Sequence, residues 1–448
     1  MATGTGNNGK KNKAATGVFD YIAGLDIGNG YVKGLIASYG DEAATTDEID
    51  MPSVVVELAQ PNALPEPADR ALEVVGDDFF NNFDMGLNSS MVNDGLRRLM
   101  GTRSLRASGA INEFNLVGHR SKADQPLSKI LVLGIIAAKA VKDYVEAAGG
   151  LPRPGTSDPQ VLQVHATVAL ALPIKEYVRH RHSYSAAFTG AGSDHVSHLV
   201  TVNNFETPVT VQIIFDKVVV IAEGASAQYA ITNGGEPLMA GLLADVRARG
   251  MELPGITPAD VLAASHTIGV DIGEGTVNFP VFSDGKFNTD ASDTLNRGYG
   301  SVLEDALQTM ADVGFQHSFT SRKQLADYLQ QKPNPIRRNF YDKVMAFVAQ
   351  QEDFFIREVA KAFSDVLSDV GAITEVSFVY GGGSGPLRAK LHDVLIDTAK
   401  DMSSEDTFPV MYLDAKYSRK LNREGLMIAA KRTADAMANR NKAKSKSK

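Results

Sequence analysis

The stretch Gly24–Gly40, GLDIGNGYVKGLIASYG, decides how this chain is read. An apolar run ends on Asp26, meets Gly28 and Gly30, and passes straight into a second apolar run. A dinucleotide-binding loop would place a third glycine at the opening of a helix. Here Lys33 stands in that position, and the residues around it, YVKGLIAS, are β-like. A P-loop is excluded as well, because G-x-x-x-x-G-K-[ST] is absent from the sequence. What remains is a β-hairpin that carries an aspartate beside its turn. The glycines let the backbone turn tightly and come close to a ligand. Successive N–H groups in such a turn, here Gly28, Asn29, Gly30 and Tyr31, can cradle phosphate oxygens. Asp26 would hold Mg2+ through water, and Lys33 would neutralise phosphate charge.

The device recurs. GVDIGEGTVNFPVFSDG, Gly269 to Gly285, aligns with the first stretch without gaps at an offset of 245, with eight of seventeen positions identical. The shared positions include the aspartate and both inner glycines, and β-like runs flank both copies. Two copies suggest two related domains facing each other, with Asp26 and Asp271 gripping a triphosphate and its metal. In the second copy Gly273, Glu274, Gly275 and Thr276 form the turn. Glu274 is expected to point away from phosphate or to bind metal through water. A third piece, SFVYGGGSGPLRAKL, brings a β-like run into Gly381-Gly382-Gly383 and a helix out of it. Alone, the triplet is equally a plain flexible turn; after two aspartate hairpins it reads as bare backbone on which a purine and ribose pack.

At 448 residues the chain is long enough for at least two domains. Its 44% hydrophobic and 22% charged content are ordinary for a globular protein. Cysteine is absent, which excludes disulfides and thiolate metal sites and suits a reducing cytoplasm. No apolar run is long enough to span a bilayer. Lys10, Lys11, Lys13, Arg440, Lys442, Lys444, Lys446 and Lys448 lie near the ends; without these eight charges the formal net charge falls from −8 to about −16. So acidic a body argues against broad duplex binding. The basic end could touch DNA or acidic partners, or simply be solvated.

Strands and helices alternate, so the class is α/β. SKILVLGIIAAKAVKDYVEAAGG has helical periodicity and a C-cap at Gly149-Gly150. VLQVHATVALALP reads as a buried strand, TVQIIFDKVVVIAE as a strand pair, and residues 321–369 as a long helical stretch. The expected organisation is a flexible leader over 1–17, domain I over 18–262 with a returning segment 415–438, domain II over 263–414, and a basic disordered tail over 439–448.

These residues resemble the actin, Hsp70 and sugar-kinase ATPase superfamily, whose two-domain fold is ribonuclease-H-like with a nucleotide cleft between duplicated domains. Asp26–Lys33 is similar to its first phosphate motif, Asp271–Asn278 to its second, and Val379–Gly383 to its adenosine motif. Within it the chain most resembles ParM-type plasmid-segregation actins, through LALPIKEY (Leu170–Tyr177), KVVVIAEGASAQYA, RGYGSVLEDAL (Arg297–Leu307) and NREGLMIAA (Asn422–Ala430). The resemblance implies that Glu176 orients or deprotonates the attacking water, with Asp26 and Asp271 as metal-holding acids. It implies that Gly298 lies by the second phosphate motif and that a basic residue such as Lys323 reaches the nucleoside, although a plain surface role suits Lys323 equally. The family places an aspartate where Asn278 stands, which opens the question of how that hairpin end is hydrogen-bonded.

Three functions follow from the resemblance, because the fold alone does not choose between them. The first is a filament-forming ATPase that uses ATP with Mg2+, GTP being left open, and segregates plasmid DNA indirectly through a DNA-binding adaptor. The second is a small-molecule kinase, for which no substrate-binding carboxylate stands out. The third is a non-hydrolysing cytoskeletal scaffold.

Overall fold

The computed structural model describes residues 16–446 except 41–45, 59–63, 77, 93, 116–120, 191–195, 320, 371–372 and 404–407. The expected leader up to residue 15 and the acidic residues Asp41 and Glu42 lie outside them. The chain divides into two compact units: the first holds residues up to Leu172, Glu176–Ile221 and Arg423 onward; the second holds Pro173–Lys175 and Ala222–Asn422.

The first unit is built on β1 (Val18–Ile27), β2 (Tyr31–Ser38), β3 (Asp47–Pro52), β4 (Val54–Leu58), β5 (Asp84–Asn88), β6 (Arg97–Met100), β7 (Ile111–Glu113), β8 (Val161–Leu172), β9 (Ser197–Val202) and β10 (Val209–Ala222). They pair in the order β3-β2-β1-β8-β10-β9-β5-β6-β4-β7. β1 runs antiparallel to β2 and parallel to β8, with Leu25 opposite Leu170. Helix α1 (Pro126–Ala148) covers this sheet and ends on Gly149 at φ 77°, the left-handed C-cap expected from Gly149-Gly150. Helix α2 (Ile174–Thr189) follows β8 directly.

TVQIIFDKVVVIAE falls, all but its final Glu223, on one fourteen-residue strand, β10 (Val209–Ala222), and not on a strand pair. Asp216 and Lys217 mimic a turn in sequence, but the strand continues through them, alternating buried and less buried positions from Val209 to Asp216. Asp216 accepts a hydrogen bond from the His165 ring across to β8 at 3.0 Å.

In the second unit, helices α3 (Ala225–Asn233) and α4 (Gly235–Ala248) precede β11 (Thr267–Ile272), β12 (Val277–Ser283) and β13 (Lys286–Leu295). Helices α5 (Tyr299–Asp312), α6 (Arg322–Gln330) and α7 (Arg338–Val370) follow, then β14 (Val376–Tyr380), α8 (Ser384–Met402) and β15 (Val410–Tyr412). The sheet order is β13-β12-β11-β14-β15, with β11 antiparallel to β12 and parallel to β14. The stretch expected as one helix over 321–369 is α6 and α7, separated around Pro333 and Pro335 because proline cannot donate to a continuing helix.

The sequence groups residues 222–262 with domain I. Ala227, Ile231, Met239, Leu243 and Val246 instead share a buried core with Ile268, Val270 and Phe363, so the second unit begins at Ala222. The chain returns to the first unit at Arg423, on helix α9 (Leu421–Lys446), whose Leu426, Ala430 and Ala434 pack with Ile22 and Ala169. α9 continues as helix to Lys446, through the segment expected to be a disordered tail.

Candidate functional site

The first hairpin forms as the sequence suggests. Asp26 and Lys33 are direct cross-strand partners of β1 and β2, so their half-buried side chains share one face of the sheet. In the turn, Gly28 N–H donates to Tyr31 O at 3.1 Å. Ser53 then takes up both glycine carbonyls: its Oγ donates to Gly28 O at 2.6 Å and its N–H to Gly30 O at 3.0 Å. Neither Gly28 nor Gly30 has a positive φ. What Gly28 supplies is proximity, since a Cβ there would lie 2.6 Å from Tyr31 O.

Glu176 lies in the first turn of α2, four residues beyond the end of β8. Because β8 runs parallel beside β1, Asp26 and Glu176 belong to the same C-terminal edge of the first sheet, where α/β folds bind ligands. One carboxylate oxygen of Glu176 is anchored: Oε2 accepts from Ser121 Oγ at 2.7 Å and from Lys122 N–H at 2.8 Å. This anchor reaches Glu176 from 55 and 54 residues away, and nothing in the sequence signals it.

The second hairpin repeats the arrangement in its own sheet. Asp271 faces Asn278 on β12 and Tyr380 on β14, and the Gly381–Gly383 turn leaves the same C-terminal edge. Gly273 N–H donates to Thr276 O at 2.9 Å, matching Gly28 and Tyr31 in the first copy. The surroundings are far tighter. Tyr299 N–H donates to Gly273 O at 3.0 Å and Gly300 N–H to Glu274 O at 2.8 Å, so the opening of α5 clasps the turn. A Cβ on Gly298 would lie 2.4 Å from Glu274 O. Gly381 has φ 97°, and a Cβ there would meet Ile272 O at 2.4 Å and Asp271 Oδ1 at 2.5 Å. Gly383 N–H donates to Ile272 O at 2.8 Å, while Gly382 is exposed at the apex. Gly275 and Thr276 are half-buried in the turn.

Glu274 does have a cationic partner. Arg322 donates through Nε to Glu274 Oε1 at 2.9 Å and through Nη1 to Glu304. Burial works against the Arg322 charge, but the two carboxylates outweigh it and raise its pKa. Lys323, one residue on, is exposed. The hairpin end left open by Asn278 is resolved by its neighbours. Asn278 Nδ2 lies 3.4 Å from the Glu223 carboxylate, and its Oδ1 accepts from Thr294 Oγ1 at 2.9 Å. All three side chains are buried. An amide satisfies this pocket, whereas an aspartate would face Glu223 with a second negative charge.

Asp271 is 5% exposed. Asn422 Nδ2 donates to its Oδ2 at 3.0 Å, so its charge is oriented by a neutral donor. Burial, and then Asp271, hold the Tyr380 hydroxyl well above its usual pKa, and that hydroxyl donates to Gly224 O at 2.8 Å. Among the described residues no three His, Cys, Asp or Glu side chains gather into a metal cage. The donor set fits Mg2+, which keeps waters and phosphate oxygens and takes one or two protein carboxylates. Each hairpin offers one carboxylate, Asp26 in the first unit and Asp271 in the second.

No protein-family model matches the sequence, and no curated protein does. Solved structures do. The actin-like protein Alp7A matches over 95% of this chain and 100% of its own at 13% identity, with a TM-score of 0.57. An archaeal actin homolog matches over 92% and 99% at 14% identity, with a TM-score of 0.54. ParM from Bacillus thuringiensis, solved with ATP, matches over 92% and 98% at 15% identity, with a TM-score of 0.52. At such identities the likeness is one of fold.

Proposed function

From the premise that this chain has the actin-like fold, we propose that it is a filament-forming ATPase. Both hairpins serve one nucleotide: the Gly28–Tyr31 turn with Lys33, and the Gly273–Thr276 turn with Gly298, cradle its phosphates. The Gly381–Gly383 backbone takes the nucleoside, with Lys323 near it. Asp26 and Asp271 hold Mg2+, which would neutralise phosphate charge in the reaction. Glu176, anchored through Oε2, keeps Oε1 to orient the attacking water; phosphoryl transfer depends mainly on such positioning. The observation that carries this reading is the duplication. In each unit a D-I-G-x-G hairpin ends at the C-terminal edge of a sheet, next to a parallel strand whose following segment brings a second group, Glu176 or the glycine triplet.

Nucleotide binding favours head-to-tail contacts between copies, and hydrolysis weakens them, so the assembly is a timed switch in the cytoplasm. Plasmid DNA is engaged through an adaptor, since a body near −16 in formal charge repels a duplex. Sedimentation with ATP and Mg2+, followed alongside phosphate release, tests the proposal. Wild type is expected to pellet and release phosphate. Glu176→Ala is expected to pellet while hydrolysing on the order of a hundredfold more slowly. Monomers throughout, with no phosphate released, would overturn it.

A further inference from the structure

The second unit holds a relay that the phosphate motifs do not explain. Ser226, in the first turn of α3, donates through Oγ to Asn422 Oδ1 at 2.9 Å. Asn422, at the start of α9, donates through Nδ2 to Asp271 Oδ2 at 3.0 Å. The serine hydroxyl therefore fixes which way round the amide sits, and the amide fixes the carboxylate. On the other side, Gly381 brings bare backbone against Oδ1. Asn422 is also the last residue of the second unit before the chain passes into the first.

We propose that Asn422 is a positioning residue that holds the Asp271 carboxylate in the orientation needed to receive a magnesium–nucleotide complex. The inference rests on the nucleotide-binding reading above. Its logic is the choice of donor. A lysine or arginine at this place would pair with Asp271 and compete with a cation for it. An amide holds one carboxylate oxygen in place with a neutral N–H and adds no charge of its own. Groups that orient a metal-holding carboxylate commonly change metal affinity by 10–100-fold when removed.

The test is fluorescence titration of a labelled ATP with Mg2+ and again with EDTA, on the full chain, with melting curves for each variant. In wild type Mg2+ tightens binding. Asn422→Ala is expected to lose about tenfold of that Mg2+-dependent gain while its affinity in EDTA stays within about twofold. Asn422→Asp, which replaces the donor with an acceptor, is expected to lose the gain entirely. Ser226→Ala, which keeps Asn422 but frees the amide, is expected to fall between wild type and Asn422→Ala, and guards against a misfolded first variant. Asn422→Ala retaining the full Mg2+ gain, or losing affinity equally with and without Mg2+, overturns the positioning role and leaves the nucleotide reading standing. Wild type binding no nucleotide in either condition overturns both.

Discussion

The two hairpins share a sequence device and differ in how the fold holds it. Around Asp26 the turn is fixed by Ser53, the aspartate is half-buried, and its cross-strand partner is a lysine. Around Asp271 the turn is clasped by Tyr299 and Gly300, closed from behind by Gly381 and Gly383, and tied by Arg322. Its aspartate is buried and its partner is an asparagine bonded to buried neighbours. The difference teaches that a motif specifies chemistry while its surroundings specify how tightly it is packed. The first copy presents its charges, and the second is built into the core of its unit.

The largest expected contrast comes from the backbone. Gly381→Ala puts a side chain at φ 97° and against Ile272 O, and is expected to cost about 3 kcal/mol or more by denaturant unfolding. A variant of wild-type stability would show the second hairpin to be no more locked than the first. Next is Asn278→Asp, which sets a second carboxylate against Glu223 in a buried pocket and is expected to cost about 2 kcal/mol near pH 8. The sign with pH follows from the shared proton. Two carboxylates set against each other in the variant repel only when both are charged, so the penalty is small in mild acid and grows as pH rises. Melting curves that are flat with pH would remove Glu223 from the account. In the first copy Ser53→Ala is expected to cost only about 1 kcal/mol, because Gly28 O alone loses its donor while the backbone N–H at residue 53 still reaches Gly30 O; a loss as large as at Gly381 would erase the contrast. The smallest stability effect is expected at Lys33→Ala, within about 0.5 kcal/mol, together with roughly tenfold weaker ATP binding, one lost phosphate contact being worth about 1.4 kcal/mol.

Local pattern carried much of this fold. The two hairpins, the helix ending at Gly149 and the glycine triplet after β14 each follow from residues adjacent in the chain. The long strand β10 did not, because Asp216-Lys217 looks like a turn until His165 is placed beside it on β8. The division between the units was equally hidden: α3 and α4 are apolar on one face, and only the packed core shows which sheet that face meets. The two glycine turns and the aspartate beside each were legible, while the groups that hold them were not. Arg322 reaches Glu274 across 48 residues, Glu223 reaches Asn278 across 55, and Asn422 reaches Asp271 across 151. Even the reason for the glycines changed, from turning the chain at Gly28 to letting the backbone approach itself.

The central claim is that both hairpins act on one nucleotide. Calorimetric titration of ATP with Mg2+ into wild type, Asp26→Asn and Asp271→Asn tests it most directly. The account predicts one ATP per chain and weakened binding in both variants. Two ATP molecules per chain, or an unchanged affinity in either variant, would contradict it.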